Sequence, residues 1–134
     1  MNEFIWPARV YYEDTDGGNV VYHANYLKFM ERARTEWLRH LGFEHRMIQQ
    51  QYQLAFVVRQ IQLSYLKPAL LDQLLQVITQ INKLGKASLI FGQQVVHQQT
   101  VLCTAVVKIA VIDLSTRRPH PFPDPVFKAL QGIL

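Results

Sequence analysis

Between Glu13 and Asn25 the chain reads Glu13-Asp14-Thr15-Asp16-Gly17-Gly18-Asn19-Val20-Val21-Tyr22-His23-Ala24-Asn25. Two aspartates and two glycines are followed by a histidine, all between a strand-like run and an amphipathic helix. A carboxylate at a strand end, facing a helix start, suits acyl chemistry. The carboxylate attacks or activates water, and the free N–H groups of the first helical turn hold a developing oxyanion. The same residues also suit a solvated turn in which Asp14 and Asp16 act as caps. Residue types alone leave both readings open.

The flanking elements must position this stretch. Phe4 to Tyr12 reads as a first strand, with Pro7 pointing to an edge position or a late start. From Asn25 the period becomes helical. Leu27, Met30, Arg34, Leu38 and Leu41 form one stripe, flanked by Ala33 and Trp37, opposite Lys28, Glu31, Arg32, Thr35 and Arg39. Asn25 is the expected N-cap, and Gly42 the left-handed residue that ends the helix. Glu31–Arg34 and Arg32–Glu36 have ion-pair spacing. A short helical piece is expected over 43–50.

Strands are expected over 55–65, 73–82, 87–98 and 101–114, with turns at 83–86 and Gln98-Gln99-Thr100. Glutamines 60, 62, 76, 80, 93 and 98 suggest polar cover on the outer sheet face. The proline-rich tail over 117–125 reads as extended, with a last helical turn over 126–130. One long helix and four sequential antiparallel strands give a two-layer α+β domain over 1–134, with the sheet wrapped around the helix. Edge strands of this length often pair with a second subunit.

Composition narrows the function classes. With 49% hydrophobic and 18% charged residues, the chain is an ordinary globular sequence rather than a disordered one. No apolar run approaches the ~20 residues of a membrane span, and the N-terminus carries no secretory pattern. A single cysteine, Cys103, allows no intrachain disulfide and fits a reducing compartment. The net charge of +4 suits an anionic partner, but the 14 Lys and Arg residues are scattered rather than clustered, which argues against nucleic acid.

Three blocks are similar to the hotdog-fold acyl-CoA thioesterases, nearest to the Tol–Pal-associated, YbgC-type branch related to the 4-hydroxybenzoyl-CoA thioesterases. They are Arg9-Val10-Tyr11-Tyr12-Glu13-Asp14-Thr15-Asp16, Val20-Val21-Tyr22-His23-Ala24-Asn25-Tyr26 and Glu31-Arg32-Ala33-Arg34-Thr35-Glu36. Weaker support comes from Phe56-Val57-Val58-Arg59, Tyr65-Leu66-Lys67-Pro68-Ala69 and the tail. Where the family commonly has glycine, three residues after the key aspartate, this chain has Asn19, the next-best residue for a left-handed backbone.

The resemblance implies a hotdog fold, a homodimer or homotetramer with sites at subunit interfaces, and hydrolysis of acyl-CoA to acid and CoA in the cytoplasm. It places the catalytic carboxylate on Asp16, as nucleophile or general base, and favours a site role for His23. The oxyanion is expected at the backbone N–H groups of His23 and Ala24. Asp14 is read as structural. A helix glutamate is the catalytic carboxylate in another hotdog branch, but Glu31 here reads as a surface ion pair with Arg34.

Arg59, Lys67, Lys83 and Lys86 are candidates for the CoA phosphates. No cofactor or metal is expected, since histidines at ligand spacing are missing. Cys103 reads as a core thiol, and the lack of a Gly-x-Ser-x-Gly elbow disfavours a serine hydrolase. The rival reading is a non-catalytic acyl-binding or scaffold protein of the envelope or phospholipid-synthesis machinery. An acyl carrier protein is a further candidate partner.

Overall fold

The computed structural model describes residues 2–134. Seven strands and three helices follow in the order β1 (Glu3–Arg9), β2 (Thr15–Asp16), β3 (Val20–Val21), α1 (Asn25–His40), α2 (His45–Tyr52), β4 (Leu54–Tyr65), β5 (Leu74–Leu84), β6 (Ser88–His97), β7 (Thr100–Asp113) and α3 (Asp124–Gly132). Five of the strands form one antiparallel sheet in the order β1-β5-β6-β7-β4, and β2 and β3 make a separate small ribbon.

The first strand stops at Arg9, short of the expected Tyr12. Val10 instead bonds the segment before β5, through Val10 N to Gln73 O and Asp72 N to Val10 O, and a 3-10 turn follows over Tyr12–Asp14. Pro7 stands in an edge strand, as a residue without an N–H should. The β5–β6 and β6–β7 links are hairpins. Strand β4 does not pair with β5, its neighbour in sequence, but lies at the far edge against β7. The connection over 66–73 therefore crosses from one side of the sheet to the other and passes behind the acidic loop, where Leu71 N donates to Asn19 O and Val21 N to Ala69 O.

Helix α1 lies in the concave side of the sheet, the hotdog arrangement. Its buried residues are Asn25, Tyr26, Phe29, Met30, Ala33, Trp37 and Leu38. The buried stripe is rotated from the expected one. Leu27 is 37% exposed, whereas Tyr26 and Phe29 are buried. Large rings at 26, 29 and 37 bury more apolar area than one leucine, and a fully buried side chain of this size contributes about 1.5–3 kcal/mol. Gly42 follows the helix with φ +100°, as expected of a left-handed terminus.

Neither expected ion pair of α1 forms. Glu36 and Glu44 both pair with Arg39, and Glu31 accepts a hydrogen bond from Thr35. The outward glutamines 60, 62, 76 and 80 are exposed, but Gln93 is buried at 2% exposure. Its Nε2 donates to Met30 O at 3.0 Å and to Thr79 Oγ1 at 2.9 Å, and its Oε1 accepts from Arg34 at 2.9 Å. Among the described residues no helix is long and apolar enough to cross a membrane.

Candidate active site

The acidic loop is held by bonds between its backbone and short polar side chains. Tyr11 N donates to Asp14 Oδ2 at 2.8 Å, and Thr15 Oγ1 donates to Tyr12 O at 2.6 Å. Asp14 O accepts from both Tyr22 N and Asn25 Nδ2 at 2.9 Å, which ties the loop to the first turn of α1. Asp14 is thus occupied in holding the loop.

Residues Thr15 and Asp16 then pair with Val21 and Val20, and the reversal between them falls on Gly17 and Gly18, at φ +75° and +91°. A side chain would be strained at either glycine, and at Gly18 a Cβ would sit 3.3 Å from the Tyr12 ring. Asn19 is not left-handed. The two glycines already complete the reversal, so the turn forms without a glycine at 19. The ribbon leaves the Asp16 side chain exposed, and it accepts no hydrogen bond among the described residues.

The helix start lies next in the chain. Asn25 is inside α1 rather than its cap, because its amide is spent on Asp14 O, and Ala24 stands at the cap position without a side-chain bond. The N–H groups of His23 and Ala24 meet no acceptor among the described residues. They lie at the end of a helix where partial positive charge gathers, and their donors are free.

The exposed His23 ring rests on Tyr22, with centroids 4.5 Å apart, and meets the edge of Tyr65 at 6.5 Å. His23 O accepts a 2.6 Å hydrogen bond from the Tyr65 hydroxyl at the end of β4. Beneath it, Tyr26 Oη accepts from Ala69 N at 3.0 Å, and burial raises the Tyr26 phenol above its ordinary value. Tyr65, which bonds the loop through this hydroxyl, is not among the site residues expected from the sequence. Its signals there are its place at the end of an alternating strand and its position at the head of the Tyr65–Ala69 block.

The four candidate phosphate-binding cations are exposed but not gathered. Lys67 follows β4 on the side of the acidic loop, Arg59 lies in the β4 bulge, and Lys83 and Lys86 stand at the far end of β5. A strand of that length separates the last two from Lys67 by about 30 Å within one chain. Among the described residues no group of three or more His, Cys, Asp or Glu could hold a metal ion. Cys103 is fully buried, and burial pushes its thiol up to about 11.

A cavity of about 360 Å³ opens beside the second half of α1. Its walls come from α1, α2, β4, β6 and β7, and include Trp37, Leu38, Ile48, Phe56, Phe91 and Ile109. Arg34 forms part of the wall through its bond to Gln93, and desolvation lowers its pKa. The sequence reading missed this cavity, because it depends on gaps between elements rather than on residue types.

The sequence profile of the thioesterase-like superfamily matches residues 10–130. The acyl-CoA thioesterase YbgC of Haemophilus influenzae is 46% identical over 132 residues, covering 98% of this chain and 97% of its own length. The acyl-CoA thioesterase YbgC of Helicobacter pylori strain 26695 is 36% identical over 136 residues, covering 95% of this chain and 98% of its own. The crystal structure of a probable thioesterase from Bartonella henselae superposes with a TM-score of 0.85 at 39% identity, over 90% of this chain and 99% of that one.

Proposed function

This chain belongs to the thioesterase-like superfamily, and on that premise we propose that it is an acyl-CoA thioesterase with Asp16 as its catalytic carboxylate. The observation that carries the reading is an exposed carboxylate in the β2–β3 ribbon, followed at the helix start by the free His23 and Ala24 amides. A thioester is already an activated acyl group. Its hydrolysis needs a nucleophile or base and a place for charge on the carbonyl oxygen. The amides receive that charge.

Asp16 acts in one of two ways. It attacks the carbonyl carbon, the C–S bond breaks, and water then opens the mixed anhydride. Otherwise it takes a proton from water as that water attacks. In both, the thiolate of CoA leaves and is protonated. His23 borders the reacting carbonyl and positions the loop. Two copies joined along the exposed edge of β4 form the working dimer. The reaction belongs to the cytoplasm, where acyl-CoA is available, and an acyl carrier protein presents the same bond.

The test is a thiol-release assay on acyl-CoAs and an acyl carrier protein thioester, with Asp16→Asn alongside. Asp16→Asn should keep the fold and lose about 100-fold or more in turnover, the scale of a positioned base. A fully active Asn variant would overturn the assignment. Tight acyl-CoA binding without hydrolysis by the parent protein would replace the enzyme with an acyl-binding role. After single turnover in ¹⁸O-water, label in Asp16 identifies the anhydride route, since the general-base route puts label only into the product acid.

A further inference from the structure

We infer that the cavity beside α1 seats an unsubstituted long acyl chain, so that the substrates are thioesters of about 12 carbons or more rather than short or hydroxylated aromatic ones. The inference rests on the thioesterase reading and names the substrate class of the same enzyme.

Size is the first argument. A cavity of about 150 Å³ holds one benzene. By that scale the roughly 360 Å³ here takes about 12 to 14 carbon atoms. Shape is the second. The α1 residues on its wall run from Glu31 to Leu41, about 15 Å along the helix axis. That is an elongated space, suited to a chain rather than a single ring.

Access is the third. Leu27, Glu31, Arg34, Leu38 and Leu41 lie on one face of α1, and the last four of them line the cavity. Leu27, at the head of that face, is 37% exposed. The nearest wall residue, Glu31, is about 10 Å along the axis from Ala24. A four-carbon chain held at the His23 and Ala24 amides of the same protomer ends before that wall.

Polarity is the fourth. Of the polar side chains on the wall, Gln49 is exposed to solvent, while Thr35, Glu31, His45 and Arg34 are held by hydrogen bonds or close polar contacts. Thr35 Oγ1 donates to Glu31 and lies 3.1 Å from His45 Nε2, and Arg34 donates to Gln93 Oε1. A site built for a ring hydroxyl would keep a donor or acceptor free for it, and the missing partner would be costly. The wall that faces these groups is instead Leu54, Ala55, Phe56, Val58, Leu89 and Ile109.

The test is kcat/KM across butyryl- to octadecanoyl-CoA, with an aromatic hydroxyacyl-CoA, on the purified protein, Ala55→Phe and Phe91→Leu. For the parent, kcat/KM should rise about threefold per added methylene through dodecanoyl, the scale of burying each one. Ala55→Phe fills the cavity and should cut the dodecanoyl-to-butyryl ratio at least tenfold. Phe91→Leu widens it and should shift the best chain to a longer one, and thermal unfolding shows which variant is folded.

A profile that peaks at four to six carbons, or a ratio that neither variant moves, overturns the inference while the thioesterase reading stands. With no turnover on any thioester the thioesterase reading fails. Dodecanoic acid titrated against Trp37 fluorescence then decides the cavity alone. Saturable quenching lost in Ala55→Phe supports the chain seat, and no quenching overturns it.

Discussion

The two ends of α1 are built by opposite means. At its start the proposed chemistry rests on backbone. Asp14 O gathers Tyr22 and Asn25, the Gly17-Gly18 reversal aims Asp16, and the amides of His23 and Ala24 are left free. The functional side chains there are exposed and make few bonds. In its second half the structure rests on side chains. Gln93 joins Arg34, Met30 and Thr79 across two elements, and the cavity wall is a set of interlocked apolar residues. A residue at the first end can therefore lose function at little cost in stability, and a residue at the second does the reverse.

The sharpest way to break this comparison is to measure both quantities on one variant from each end. Asp16→Asn should lose about 100-fold in turnover, a barrier change of about 2.7 kcal/mol. Its melting temperature should stay within a degree or two, because its side chain supports nothing. Gln93→Ala removes a fully buried amide and strands the Arg34 guanidinium, Met30 O and Thr79 Oγ1. It should cost about 2–4 kcal/mol in chemical denaturation, while the folded fraction retains most of its butyryl turnover. If Asp16→Asn destabilised and Gln93→Ala did not, the division between the ends would be wrong.

What could be read from the sequence divides along the same line. The glycines, the aspartates and the change of period at Asn25 announce a turn and a helix, since each acts through its own backbone preference. The strands were also legible, because alternation is local. Three things were not. The rotation of the α1 stripe depends on which rings the sheet can receive, which the periodicity that places Leu27 in the core does not carry. Gln93 looked like its exposed neighbours, because its burial follows from facing Arg34 and Met30 across the core. The placement of β4 beside β7 depended on the crossing segment over 66–73, whose bonds to the acidic loop are long-range in sequence. Of the proposed site, the pattern offers Asp16 and the amides as one of two readings and the family resemblance selects Asp16, whereas the Tyr65 bond and the cavity are products of packing.

Tyr65 sharpens the comparison, for it is a side chain from an edge strand that acts on the backbone-built end. Its hydroxyl donates to His23 O at 2.6 Å, so the peptide group that bears the Ala24 N–H is held from its carbonyl side. Tyr65→Phe keeps the ring against Tyr26, 5.5 Å between centroids, and removes only that bond. The expected result is a loss of about tenfold in kcat with KM nearly unchanged, and about 1 kcal/mol or less in stability. A rise in KM without a fall in kcat would mean that the hydroxyl meets substrate rather than positioning the loop.

The smallest effect separates the ends by pH. His45 packs its ring edge against Phe56 and meets Thr35 at the cavity rim. Burial lowers its pKa from 6.5; Glu31 opposes that shift, and Arg39 and Arg34 add to it. The folded protein thus resists a proton that the unfolded chain accepts. Its contribution to stability is complete above pH 6.5 and is lost as pH falls from there through the lower folded value. Unfolding midpoints measured from pH 8 to 5 should decline for the parent and flatten for His45→Gln, with the two curves separating only below about pH 6.5. A decline that persists unchanged in His45→Gln would take the pH sensitivity away from the cavity end and undo the contrast between the two.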